Sequence, residues 1–195
     1  MAISRLSDGS LQDGFPKFDS IWDGISAVGS MEPISAITLT AAQSSVEFNN
    51  IPSTYSHLQL RGIARDSSTS GSLRMYINND ANNRYSRHVL YGDGTSALAS
   101  SSNGDAIGAV GDIATSSYTA SVFGVFIIDI LDYTSTNKTK TVRSLSGVDN
   151  NGSGYIELRS FGYYDPALSA VTSLQIYLPS STFTANSSFS LYGIK

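Results

Sequence analysis

The chain has 195 residues, 41% of them hydrophobic, only 14% charged and none cysteine, with a formal net charge of −4. That length fits one domain with a real core, and the missing thiols exclude disulfides, zinc–thiolate sites and a cysteine nucleophile. A nearly neutral body gives no electrostatic reason to hold nucleic acid.

Charged residues fall well below the roughly 25% of an average domain. Ser, Thr, Asn, Gly, Tyr and Phe take their place, a mixture that suits strands and turns and disfavours helix interiors. The composition predicts an all-β protein. MAISRLSDGS lacks the apolar core of a secretory signal. The longest apolar run, VFGVFII, has the length of a strand and falls short of the ~18 residues of a membrane span, so no membrane partner is expected.

Residues 1–33 differ from the rest. Asp-Gly at 8–9, 13–14 and 23–24 and Phe-Pro at 15–16 are turn signals. Arg5 and Lys17 stand there against Asp8, Asp13, Asp19, Asp23 and Glu32, so most of the net negative charge lies in this segment. Phe15, Phe18, Ile21 and Trp22, the only tryptophan, punctuate a stretch too short to bury them. Two readings stand: a terminus wrapped on its own domain, or an extended N-terminal arm whose aromatics anchor on a neighbouring protein.

From Ile34 to the end the period is that of strands. ISAITLTA (34–41) and SSVEF (44–48) come first. YSHLQLRGIARD (55–66) sets Leu58 and Leu60 opposite His57, Gln59 and Arg61, and SLRMYIN (72–78) alternates Leu73, Met75 and Ile77 with Arg74 and Tyr76. RYSRHVLYG (84–92) follows the turn-rich NNDANN. Arg61, Arg65, Arg74, Arg84 and Arg87 make this region locally basic, which reads as strand faces or subunit contacts because no interleaved aromatic pattern marks a polyanion site.

GDGTSALASSSNGDAIGAVGDIATSS (92–117) breaks the rhythm. It reads as a long Gly/Ser/Ala loop, either flexible or packed on another subunit through Ile107, Val110 and Ile113. YTASVFGVFIIDILDY (118–133) loses strict alternation in its middle, which predicts a central strand covered on both faces. KTKTVRSLSG, GYIELRSFGYY and VTSLQIYLP follow, with Asn-Gly at 151–152 as a hairpin turn. The last stretch, SSFSLYGIK, puts Phe189, Leu191 and Gly193 on one face, and a strand at the end of a chain needs a sheet to satisfy its backbone. About nine short strands at near-regular spacing predict an antiparallel β-sandwich, jelly-roll-like, over residues 34–195.

The chemistry of catalysis is thin. His57 and His88 are ordinary strand histidines without a second histidine at ligand spacing. Asp129 and Asp132, offset by three on a strand, project to opposite faces and make no acid–base pair. Asp132 is expected to open the turn DYTSTN, and Asp129 to meet an arginine or another local donor. NNDANN has oxygen donors without the spacing of a known calcium loop. No cofactor is implied, and the protein is expected to be no enzyme. The many tyrosines fit cross-strand packing, a sugar-binding face or a protein interface alike.

Phe48, Ile51, Pro52, Tyr55, Leu58 and Leu60 form Phe-x-x-Ile-Pro-x-x-Tyr-x-x-Leu-x-Leu. Phe183, Ser187, Phe189, Leu191, Tyr192 and Gly193 form Phe-x-x-x-Ser-x-Phe-x-Leu-Tyr-Gly. Together these two ends resemble a recurrent type of jelly-roll virion structural protein of tailed bacteriophages, cyanophages included. The likeness spans residues 44–195 and leaves 1–33 outside. It implies a non-enzymatic virion component, and the leading expectation is capsid decoration or a head fibre, with the arm, which lies outside the likeness, docking it on a major capsid, tail or vertex protein. The alternative is a tail-fibre or receptor-binding module for a host glycan. It implies a homotrimer and no catalytic residues.

Overall fold

The structure is a computed structural model that describes residues 30–195. Every regular element in them is a strand. In chain order these are β1 (Met31–Thr38), β2 (Ser45–Phe48), β3 (His57–Ala64), β4 (Ser72–Ile77), β5 (Tyr85–Gly92) and β6 (Ala97–Asp105). β7 (Gly108–Asp112), β8 (Gly124–Leu131), β9 (Lys140–Asp149), β10 (Gly154–Tyr163), β11 (Leu174–Tyr177) and β12 (Ser188–Ile194) complete them. All pairings between strands are antiparallel.

Two sheets pack face to face. The larger has eight strands in the order β1-β12-β3-β8-β9-β10-β5-β6, and the smaller has four, β2-β11-β4-β7. Removing two hairpins, β5–β6 and β9–β10, leaves β1-β12-β3-β8 facing β2-β11-β4-β7, the strand order of a jelly roll. The two hairpins join through β10 and β5 and are added to the β8 edge of one sheet alone. The large sheet therefore overhangs the small one.

Side-chain alternation builds the core between the sheets. Leu58 and Leu60 of β3, Phe126, Ile128 and Ile130 of β8 and Val142 of β9 point inward from the large sheet. They meet Leu73, Met75 and Ile77 of β4 with Leu174 and Ile176 of β11. β12 lies between β1 and β3, with Leu191 beside Leu60 and Gly193 beside Leu58. Its backbone is paired on both sides, as a strand at a chain end requires.

The two sequence motifs touch. The Tyr55 ring lies against Gly193, where an added Cβ would enter it, and Phe183 meets Phe189 edge-on with ring centroids 5.0 Å apart. Tyr55 also donates to Glu32 Oε2 at 3.0 Å, and Lys195 pairs with the same carboxylate. β1 begins at Met31, slightly before the expected boundary.

The expected loop over 92–117 is not one. It holds β6, an exposed edge strand of Ser and Ala, and β7, the edge of the small sheet. Val110 and Ile113 are fully buried in the chain's own core and have no surface to offer another subunit, while Ile107 is half-buried. The small residues serve close approach. A Cβ on Gly108 would meet the Phe161 ring at 2.8 Å.

Candidate functional site

The outer face of the large sheet carries apolar side chains that nothing in the described residues covers. Register fixes them in rows. One row runs Ile63, Val125, Gly147, Ile156, Gly92, Ala97 across β3, β8, β9, β10, β5 and β6. The next runs Arg61, Ile127, Leu145, Leu158, Leu90, Ala99. Val125, Ile156 and Leu90 are 54%, 61% and 58% exposed, unusual for the middle of a sheet. Gly147 and Gly92 leave gaps between the flanking side chains, and a shallow cavity of about 580 Å³ opens there.

A polar row borders these two: Gln59, Asp129, Arg143, Ser160, His88, Ser101. Asp129 accepts from Gln59 Nε2 at 2.6 Å and pairs with Arg143 at 2.8 Å, which meets the expectation of an arginine partner. The face is thus an apolar band with a charge-matched border. Sequence reasoning missed it as a site, although the lost alternation of 118–133 was its signal. β8 is central, and its outward Val125, Ile127 and Leu131 lack the cover their composition predicts.

A second feature lies under the overhang, on the inner face of β5, β6 and β10, beside β7. Glu157 and Arg159 point inward from β10 and are 3% and 8% exposed. Glu157 binds Arg159 at 2.6 Å and accepts from the Asp112 backbone N–H at 3.1 Å, and Arg159 reaches the Asp112 carboxylate at 3.1 Å. Burial pushes the Glu157 carboxyl up against the pull of Arg159. These inward charges blunt an open sheet edge. Arg74 and Arg87 line the same groove, of about 440 Å³, with Tyr91, which stacks on Tyr155 at 5.5 Å. Arg74 makes no ion pair or side-chain hydrogen bond among the described residues. Burial and the like charges of Arg159 and Arg87 lower its proton affinity.

No protein-family model, curated protein or solved structure matches this chain. Its own geometry has to carry the functional reading.

The anchoring residues expected on the arm, Phe15, Phe18, Ile21 and Trp22, lie outside the described residues. His57 accepts the Asp132 backbone N–H on Nδ1 at 2.9 Å, and His88 is exposed on the outer face, so the two are not brought together as ligands. Asp132 has a left-handed backbone, accepts Ser135 N–H at 2.9 Å and pairs with Lys138, as a turn-opening residue does. In NNDANN, Asp80 is occupied by Asn82, Arg84 and Tyr163 rather than arranged around a cation. Among the described residues no three His, Cys, Asp or Glu gather in a metal-sized cluster. Several of the tyrosines pack on one another: Tyr76 stacks on Tyr177 at 4.9 Å, and Tyr85 on Tyr163 at 5.0 Å.

Proposed function

We propose that the chain is a non-enzymatic structural protein of a phage virion, of the capsid-decoration or head-fibre type, working as a homotrimer that docks on other virion proteins through its N-terminal arm. The observation that supports it best is the uncovered apolar band on the outer face of the large sheet. Two added hairpins widen that sheet past the four-stranded one, and their outward rows carry Leu90, Leu145, Ile156 and Leu158. Assembly gives such a face a reason.

The occupant is a second copy of this chain. Six strands at ~4.8 Å and the three cross-strand rows at ~6.8 Å span roughly 600 Å², the lower end of what one partner contributes to a specific interface. On this face Asp129 is matched by Arg143, while Arg61 bonds Gln59 and lies over the Tyr192 ring. Low overall charge points the same way. By binding only assembled shells, such a protein adds stability to them through mass action.

A chain lacking residues 1–30 should fold with an unchanged strand spectrum and fail to bind particles, while the full chain decorates them in hundreds of copies. Full decoration by the shortened chain would overturn the arm. A few to a few tens of copies per particle would move the protein to a tail or vertex, the second reading.

A further inference from the structure

The groove under the overhang holds more positive charge than edge protection requires. Glu157, Asp112 and Arg159 satisfy one another and the β7 edge. Arg74 and Arg87 are left over: the first is unpaired among the described residues, and the second stands 4.0 Å from Asp105 at the limit of an ion pair. Arg159, 92% buried by its 8% exposure, keeps a buried Nε with no partner, as does the Tyr155 hydroxyl. The unpartnered buried Nε of Arg159 beside the unpaired guanidinium of Arg74 points to a missing acceptor.

The other wall is apolar. Tyr91, backed by Tyr155, offers a held aromatic ring, and Leu98, 61% exposed, extends that wall. Ser100 and the second carboxylate oxygen of Asp112, whose first is held by Arg159, supply hydroxyl and carboxylate partners for sugar hydroxyls. An aromatic platform with a polar rim of both donors and acceptors fits a pyranose ring. A surplus guanidinium fits an anionic group on that ring.

From this geometry we propose that the groove between β7 and the β5–β6 hairpin binds an anionic saccharide, a sugar ring on the Tyr91–Leu98 wall with its acid group held by Arg74 and Arg87. The site does not depend on whether the body sits on a head or a tail. Its volume of about 440 Å³ lies within the ~300–1,000 Å³ range of small-molecule clefts.

Titration calorimetry with the full-length chain tests it, using oligogalacturonate, sialyllactose, a neutral maltooligosaccharide and inorganic phosphate as probes. At least one acidic saccharide should bind about tenfold or more tightly than the neutral one. Arg74→Gln should remove that preference while the melting temperature stays put, since the side chain holds no partner in the fold. Tyr91→Ala should weaken acidic and neutral sugars together. Silence toward both acidic saccharides, equal binding of neutral and acidic sugars, or binding indifferent to Arg74→Gln would overturn the site. Inorganic phosphate binding as tightly as the sugars would overturn the saccharide. None of these outcomes bears on copy number, so a failed groove leaves the assembly reading standing.

Discussion

Asp80 shows how one side chain from a weak motif becomes a fixed point. It sits in NNDANN, whose Asn78 and Asn79 adopt left-handed backbone angles and turn the chain from β4 toward β5. Its carboxylate accepts from Asn82 N–H at 2.9 Å, Arg84 Nη1 at 2.8 Å and Tyr163 Oη at 2.8 Å, and its carbonyl takes the Tyr85 hydroxyl at 2.9 Å. Burial works to raise its pKa, and the hydrogen bonds from Asn82 and Tyr163 with the charge of Arg84 outweigh it, holding the group below the ordinary 3.8. A depressed carboxyl stabilises the fold fully above the unfolded-state value and loses that contribution as pH falls through the folded-state value. Replacing Asp80 by Asn should therefore lower stability at neutral pH by about 1–3 kcal/mol, the range for a charge-assisted bond. The deficit against the native chain should shrink as pH falls below the ordinary carboxylate value, and vanish once it has passed the depressed folded-state value, where both carry a neutral group. Thermal melts of the two proteins between pH 7 and pH 2 check this, and parallel curves would refute it.

Among the elements, the strands with clean alternation were legible and the ones built for proximity were not. β3, β4, β9 and β12 announce themselves because one side of each faces the core and the other does not. β7 reads GAVGD, with too little bulk to show a period, because it passes so close over β9 and β10 that side chains would collide. β6 reads ALASSSNGD because it is an exposed edge with nothing to bury. Local pattern records what a strand packs against, and these two pack against almost nothing or so closely against facing side chains that no bulk fits. The expected subunit contact at Val110 and Ile113 failed for the same reason: small neighbours hid a core position. Gly108→Val separates a loop from a close-packed strand. A loop would absorb it, but the strand must push the Phe161 ring aside and lose about 1–3 kcal/mol, as overpacked cores do. A chemical denaturation midpoint unchanged from the native chain would mean β7 does not lie where the structure puts it.

For the whole molecule, the outer face was half-legible. The run through 118–133 signalled cover on both sides, yet the described residues cover one side alone, and a single chain's pattern does not say what covers the other. The rows across six strands appear only once register is known, since Leu145, Leu158 and Leu90 are far apart in sequence and adjacent in the sheet. If a second copy covers them, stability must depend on concentration, because dissociation precedes or accompanies unfolding. Sedimentation of the full chain should give three chain masses, and its melting temperature should rise with protein concentration. Leu145→Lys with Leu158→Lys places two like charges in adjacent strands on that face and should yield a folded monomer whose melting temperature no longer responds to dilution. The lysines project outward, where a lone chain leaves them in water, so the monomer fold has no cause to fail. A native chain that sediments as a monomer at every concentration would remove the second copy as occupant. If deleting residues 1–30 then made that monomer self-associate, the face would belong to the chain's own arm.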